Sequence, residues 1–372
     1  MDPGATDPSL GVAGPLRLST FRALMLSPRR VGDPASARAF ARPYRDVTER
    51  LQRWEKQGHL RHDDTPGLYL HEYTVDGLTV RGLVGALEVS HHTSDPEARV
   101  VLPHEAVEPR QSVELAGRME QMDLNPAPIL LVHRGPAEVR AVVHDVVSGE
   151  PWAEFIDRGQ RWNRVWAIRD SDLLRTVAQH LAECRTLLAD GHHRYAAYLQ
   201  LQRTHPGTAA DRGLAMLVDQ DDTPLFLGAI HRTFARTSLE DLALAVEGVA
   251  SFASTSEADA MSALGPSTLV ATDGAAWARL ELRLPPGRAA VEALHEEVVP
   301  RLRGRKRRLA YHHTAEETLR RLPRGGVAVL MPAPDFDLVE QIVSHHRLLP
   351  EKATSFQPKP GIGVLMRSLH DG

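Results

Sequence analysis

One cysteine, Cys184, is all that the 372 residues carry. That excludes an intrachain disulfide framework and a cysteine-rich zinc cluster, and it fits a reducing compartment, the cytoplasm. Long apolar runs are missing as well. No window approaches the ~18 uninterrupted apolar residues of a membrane helix, and residues 327–331, the most apolar stretch near the C-terminus, are strand-sized. The chain therefore reads as neither spanning nor entering a membrane. An excess of one charge is also missing: 44 Lys and Arg stand against 48 Asp and Glu, a formal net charge of -4. This supplies no overall attraction to nucleic acid or anionic lipid. The basic run from Arg301 to Arg308 has no aromatic interleaving and reads as a solvated helix end. Residues 1–16 lack the basic start and apolar core of a secretion signal; with Asp2, Asp7, Pro and Gly they read as a floppy tail.

What remains is an ordinary globular composition, 42% hydrophobic and 25% charged, in a chain longer than one hydrophobic core usually supports. Three parts are expected after the tail: an N-terminal α/β subdomain over 17–150, a central core over 151–237, and a C-terminal α/β lobe over 238–372. Spacing of Phe40, Tyr44, Val47, Leu51 and Trp54 predicts one helix over 35–58, ended by Gly58. Strands over 68–75 and 78–89 flank Asp76-Gly77, a pair that tolerates the positive φ of a tight hairpin. Strands are further predicted over 100–102, 129–133, 162–168, 186–189, 214–218, 225–230, 267–271, 276–284 and 326–331. Helices are predicted over 112–122, 170–184, 195–202, 238–249, 289–302 and 335–346. The fold class is α/β, with a mixed, partly antiparallel sheet and flanking helices.

One segment stands out chemically. Asp190-Gly191-His192-His193-Arg194 lies between a buried strand and a helix. A glycine there lets the backbone turn sharply, and the free N–H groups of the helix start favour an anion. His192, His193 and Arg194 add side-chain donors, Arg being suited to bidentate phosphate contact, and Asp190 can hold a cation or orient a histidine. The plainer reading keeps Asp190 as a helix cap and the histidines as local hydrogen-bond partners. Three other adjacent pairs, His91-His92, His312-His313 and His345-His346, point in divergent directions along an element and make no metal site. No Gly-x-Ser-x-Gly elbow follows a strand, so a Ser-His-Asp hydrolase is unsupported.

The stretch Leu188-Ala189-Asp190-Gly191-His192-His193-Arg194-Tyr195 resembles the signature of a bacterial and archaeal family, domain of unknown function number 1015. Phe21-Arg22-Ala23-Leu24, Pro103-His104-Glu105, His231-Arg232 and the C-terminal residues 349–359, Leu-Pro-Glu-Lys-Ala-Thr-Ser-Phe-Gln-Pro-Lys, match that family in the same order. More distantly, the chain is similar to the fold shared by partition protein B, sulfiredoxin and free-serine kinases. This second resemblance implies that Asp190, Gly191, His192, His193 and Arg194 cradle phosphate, with His231, Arg232, Lys352 and Lys359 contributing to the site. It further implies that Glu105 is the general base for a small hydroxyl acceptor such as free serine, with His193 and Arg194 also catalytic. The phosphate donor would be ATP, ADP or pyrophosphate with Mg2+. Cys184 lies outside the phosphate segment, so a sulfiredoxin-like redox role lacks its nucleophile. The chain also departs from the family. Its N-terminal stretch is shortened to residues 41–47, Val107 replaces a threonine, and the family's Asp-Arg pair falls near Glu114-Leu115. These departures imply the alternative of a non-catalytic nucleotide or metabolite sensor.

Overall fold

The computed structural model describes residues 11–41, 47–302 and 308–370. Residues 1–10 of the expected tail, residues 42–46 of the expected first helix and residues 303–307 of the basic run lie outside the described residues. The chain forms two compact units. The first comprises the residues up to Pro103, Val107–Leu225 and Pro358–Gly372; the second comprises His104–Ala106 and Phe226–Gln357.

The first unit is built on a nine-stranded mixed sheet. Its centre is the expected hairpin, Leu68–Val75 paired with Leu78–Glu88. Asp76 and Gly77 turn it with φ of 51° and 77°, the positive pair that a two-residue hairpin matching strand twist requires. Trp162–Ile168 and Ala153–Ile156 extend the sheet antiparallel on one side. Arg212–Asp219 joins on the other side, followed by Ile129–His133 in parallel, Thr186–Asp190 antiparallel to that, and Val101–Pro103 parallel to the last. Helices Pro109–Met122, Ala137–Val147, Ser171–Leu181 and His192–Thr204 bring Met119, Val142, Leu181 and Tyr198 into one core with Leu70, Leu83, Leu131 and Leu217.

Several expectations are corrected here. Of the helix expected over 35–58, Pro34–Ala41 and Val47–Lys56 are helical, with the rings of Phe40 and Trp54 edge to face at 6.3 Å. Residues 11–16 are structured: Gly11–Val12 pairs with His92–Thr93, and the apolar Val12 and Leu16 are buried. Helix Ala137–Val147 was not predicted, because its apolar stripe is all valine, a β-branched composition that obscures helical spacing. A second, four-stranded antiparallel sheet in this unit orders Leu60–His62, Ala23–Leu26, Met366–Ser368 and Leu124–Asn125.

The second unit is organised on a six-stranded antiparallel sheet in the order Ala250–Thr255, Trp277–Leu282, Thr268–Thr272, Val327–Leu330, His231–Phe234, Leu309–His312. The strand expected over 225–230 is split: Phe226–Gly228 pairs with Ser355–Gln357 instead, and the six-stranded sheet takes up the chain again at His231. The helix expected over 289–302 changes character along its length, from α over Ala290–Ala293 to π over Leu294–Val298 and 3-10 over Val299–Arg301. Pro300 has no N–H for the α ladder, which accounts for the break.

Backbone contact at two glycines of the first unit gives opposite stability predictions. A Cβ on Gly213 would come within 2.2 Å of the Tyr198 ring, whereas one on Gly117, within helix Pro109–Met122, meets nothing within 4 Å. Gly213→Ala should lower the unfolding free energy by about 1–3 kcal/mol through overpacking, and Gly117→Ala should raise it by about 0.5–1 kcal/mol. Urea unfolding of both variants checks the pair, and equal midpoints would refute the packing argument.

Candidate functional site

Strand Thr186–Asp190 passes into helix His192–Thr204 through Gly191 alone. Gly191 has a φ of 93°, and an added Cβ would lie 3.0 Å from Ile129 Cγ2 and 3.1 Å from Arg194 Nη2. Only glycine fits there. The left-handed residue reverses the chain at once, so the helix starts at His192, three residues before the expected Tyr195. His192, His193 and Arg194 thus form its first turn rather than a loop.

One turn separates Asp190 from Arg194, and the two side chains meet with Arg194 Nη2 donating to Asp190 Oδ2 at 2.7 Å. Arg194 Nη1 donates to the carbonyl oxygens of Ala127, at 3.2 Å, and Pro128. Lys359, at the far end of the chain, donates its Nζ to Asp190 Oδ1. Burial acts to raise the Asp190 carboxyl, but the Arg194 and Lys359 cations outweigh it and hold the group below the usual carboxylate range. The geometry therefore joins Asp190, Gly191, Arg194 and Lys359. His193 is turned toward the backbone, its Nε2 accepting from the Glu108 N–H at 3.3 Å.

Asp190, Arg194 and Lys359, which touch one another, line a cavity of about 530 Å3 within the first unit. Arg30, Arg118 and Arg161 bring further positive charge to its wall, and Asp33 and Asp157 bring negative charge. The remainder is apolar: Phe40, Leu115, Met119 and Met122 on two helices, with Pro128, Leu130 and Ile362. A mostly apolar lining with a few charged groups is of the size and polarity that suits a small ligand. Among the described residues no three His, Cys, Asp or Glu side chains converge as a metal site.

The other expected site residues belong to the second unit. The Glu105 carboxylate accepts from the N–H groups of Lys352 (3.2 Å), Ala353 (3.0 Å) and Thr354 (3.0 Å) and from the Thr354 hydroxyl (3.2 Å). Lys352, with a φ of 58°, is at the bend that the carboxylate secures. Arg232 is fully buried; it donates from Nη2 to the Lys352 carbonyl at 2.8 Å and from Nε to His295 Nε2 at 3.1 Å, with its guanidinium carbon 5.4 Å from the Tyr311 ring centroid. Burial lowers Arg232 to about 10 and His295 to about 4, so His295 is neutral at pH 7 and its Nε2 is free to accept. His231 Nδ1 accepts from the Met331 N–H at 3.0 Å, and burial lowers it to about 4.

Sequence reasoning did not single out Arg30, Asp33, Arg118, Asp157 or Arg161. Asp157 and Arg161 belong to a polar turn between Ala153–Ile156 and Trp162–Ile168, and such a turn reads as a solvated hairpin end. The available signal was Asp157 followed by Gly159 before a strand, which marks the turn but not the cavity beside it.

No curated protein matches the chain in sequence. Among solved structures, a free serine kinase in complex with AMP is 16% identical with a TM-score of 0.40, over 72% of this chain and 88% of that one. SbnI with a C-terminal truncation, from Staphylococcus aureus, is 14% identical with a TM-score of 0.44, over 73% and 84%. A conserved hypothetical protein from Pyrococcus furiosus is 15% identical with a TM-score of 0.38, over 72% and 92%. The family model described as protein of unknown function (DUF1015) matches residues 20–302, and with this match, together with the signature around Gly191, the chain belongs to that family.

Proposed function

We propose that the chain binds a nucleoside phosphate in the cavity bounded by Asp190, Arg194 and Lys359, and transfers phosphate from it to a small hydroxyl compound. The observation that carries this reading is that one cavity is lined both by apolar side chains and by Arg30, Arg118, Arg161, Arg194 and Lys359. Phosphoryl transfer asks little covalent chemistry of a protein; it needs positioning and positive charge around the phosphates, and Lys359, Arg161 and Arg118 supply that charge. Arg194 has another task. Its two terminal nitrogens already bind two carbonyls and Asp190, so it braces the turn at Ala127-Pro128 against the helix start. Magnesium with ATP, ADP or pyrophosphate is the donor set to test. Free serine is the acceptor to assay first, because the signature resembles a fold that free-serine kinases share. Glu105, whose oxygens are engaged by the backbone of residues 352–354, is assigned to ordering that bend.

A binding-only reading has one observation in its favour. Leu115, near which the family's Asp-Arg pair falls, contributes an apolar side chain to the cavity. Saturable binding of ATP with no phosphate transfer to serine or to other amino-acid alcohols would select this reading.

Two expectations follow. In thermal unfolding with magnesium and ATP, wild-type protein should gain about 2.7 kcal/mol at 100 times the dissociation constant. Lys359→Ala should bind about tenfold or more weakly, given the worth of a charge-assisted hydrogen bond. Arg194→Ala should lower the midpoint of the ligand-free protein as well, and a Lys359→Ala protein with wild-type affinity would remove Lys359 from the proposal. The second expectation concerns acid. Because the folded Asp190 carboxyl is held below its unfolded value of about 3.9, its stabilisation is present above that value and is lost as pH falls through the folded one. The stability difference between wild type and Asp190→Asn should be full at pH 7 and shrink below about pH 4. A difference that does not change with pH, measured by urea unfolding, would contradict this.

A further inference from the structure

We propose that Asp157 is the proton acceptor for the hydroxyl group that receives phosphate, a catalytic residue oriented by Asn163 and, behind it, His71. The inference rests on the phosphotransfer reading above and names the base of that same site.

Three carboxylates border the cavity, and their surroundings differ. Asp33 pairs with Arg158 at 2.9 Å, and Asp190 is bound by Arg194 and Lys359. Asp157 is 3% exposed, and no ion pair neutralises it among the described residues. Its Oδ1 accepts from the Arg161 N–H at 3.0 Å, and its Oδ2 has one long contact, from Asn163 Nδ2 at 3.4 Å. A carboxylate offers about four lone-pair sites, so Asp157 retains acceptor capacity that the other two have given to cations. Glycine backbone packs close around it. Gly32, Gly159 and Gly361 all approach it, and a Cβ on each would stand 3.6 Å, 3.2 Å and 3.7 Å from one of its oxygens. Backbone rather than side chain borders the carboxylate at these positions, and Asp157 and Gly159 both line the cavity.

Behind Asp157 runs a buried chain of hydrogen bonds. Asn163 Nδ2 also donates to the Arg161 carbonyl at 3.0 Å, and Asn163 Oδ1 meets His71 Nε2 at 3.0 Å. Burial lowers His71 to about 4, so at pH 7 it is neutral and its one proton lies on Nε2, where Asn163 Oδ1 can accept it. That fixes the amide with its N–H groups toward Asp157. The same turn reaches Lys359, because Arg161 Nη1 donates to the Lys359 carbonyl at 2.7 Å, while Tyr73 donates to the Pro358 carbonyl at 2.6 Å. The turn that carries Asp157 therefore also holds the backbone at Lys359, through the Arg161 side chain. In the step itself, the acceptor's hydroxyl oxygen bonds to the terminal phosphorus of ATP and its proton passes to Asp157 Oδ2. The bond from that phosphorus to the bridging oxygen breaks, and its electron pair leaves with ADP.

The test uses the full chain with ATP, magnesium and free L-serine, following phosphoserine by mass spectrometry and ATP affinity by calorimetry. Asp157→Asn keeps an oxygen for the Arg161 N–H. It should bind ATP within about threefold of wild type while kcat falls on the order of 100-fold or more. Asn163→Ala removes a donor that orients the carboxylate, so kcat should fall on the order of tenfold while ATP affinity stays within about threefold of wild type; a purely structural role would weaken ATP binding as well. Should Asp157→Asn fail to fold by circular dichroism, this split between kcat and affinity in Asn163→Ala decides alone. Wild-type turnover that survives in Asp157→Asn or in Asn163→Ala overturns the assignment and leaves the phosphotransfer reading standing. Wild-type protein that binds ATP but forms no phosphoserine, or that binds no ATP, removes that reading and this one with it.

Discussion

The site in the first unit depends on one carboxylate. Asp190 lies where a strand ends, is partly withdrawn from water, and is bound by two cations of different origin: Arg194, one helical turn later, and Lys359, from the far end of the chain. Withdrawing a carboxylate from water is costly unless charge and hydrogen bonds compensate. Here the compensation also shapes the molecule. Arg194 carries the constraint onward to Ala127 and Pro128, and Lys359 ties the C-terminal segment to the sheet. Gly191 makes this geometry accessible, since any side chain there would press on Ile129 and on Arg194 itself.

Around that carboxylate, charge and burial divide the work. Side chains engaged with the backbone hold position: Arg194 in the first unit, and Glu105 and Arg232 in the second. Arg232 shows how far burial can reach, since a guanidinium fully removed from water is met by carbonyls, a neutral imidazole and an aromatic ring rather than by a carboxylate. Groups with capacity left over, Lys359 and Asp157 foremost, face the cavity. Of the carboxylates that line this cavity, Asp157 is the one that no ion pair neutralises among the described residues.

Much of the fold was legible because local physics determines it. Asp76-Gly77 between two apolar runs admits a tight hairpin and little else. The strand ending at Asp190 and the glycine after it were equally plain. Misreadings arose where a local signal was ambiguous or cut short. The all-valine stripe of Ala137–Val147 hid a helix. Pro300 broke a helix that periodicity alone would continue, and the chain after Leu225 left one sheet for another, which no pattern of apolar residues records. The site residues were legible as types but not as a group. Histidines 192 and 193 drew attention by composition, whereas Asp157 and Arg161, in an ordinary polar turn, did not.

By itself the sequence determined the class of the protein: a mixed α/β chain without a disulfide framework, with a glycine turn before an Arg-bearing helix start and a family signature around it. Those properties follow from composition and from contacts between near neighbours in the chain. Only the tertiary structure decided that Lys359 meets Asp190 across 169 residues of sequence separation, that Arg194 is a brace, and that Asp157 borders the same cavity. Such contacts are set by which strands pair and by what their faces bury, and a residue's own neighbours in sequence carry no information about them.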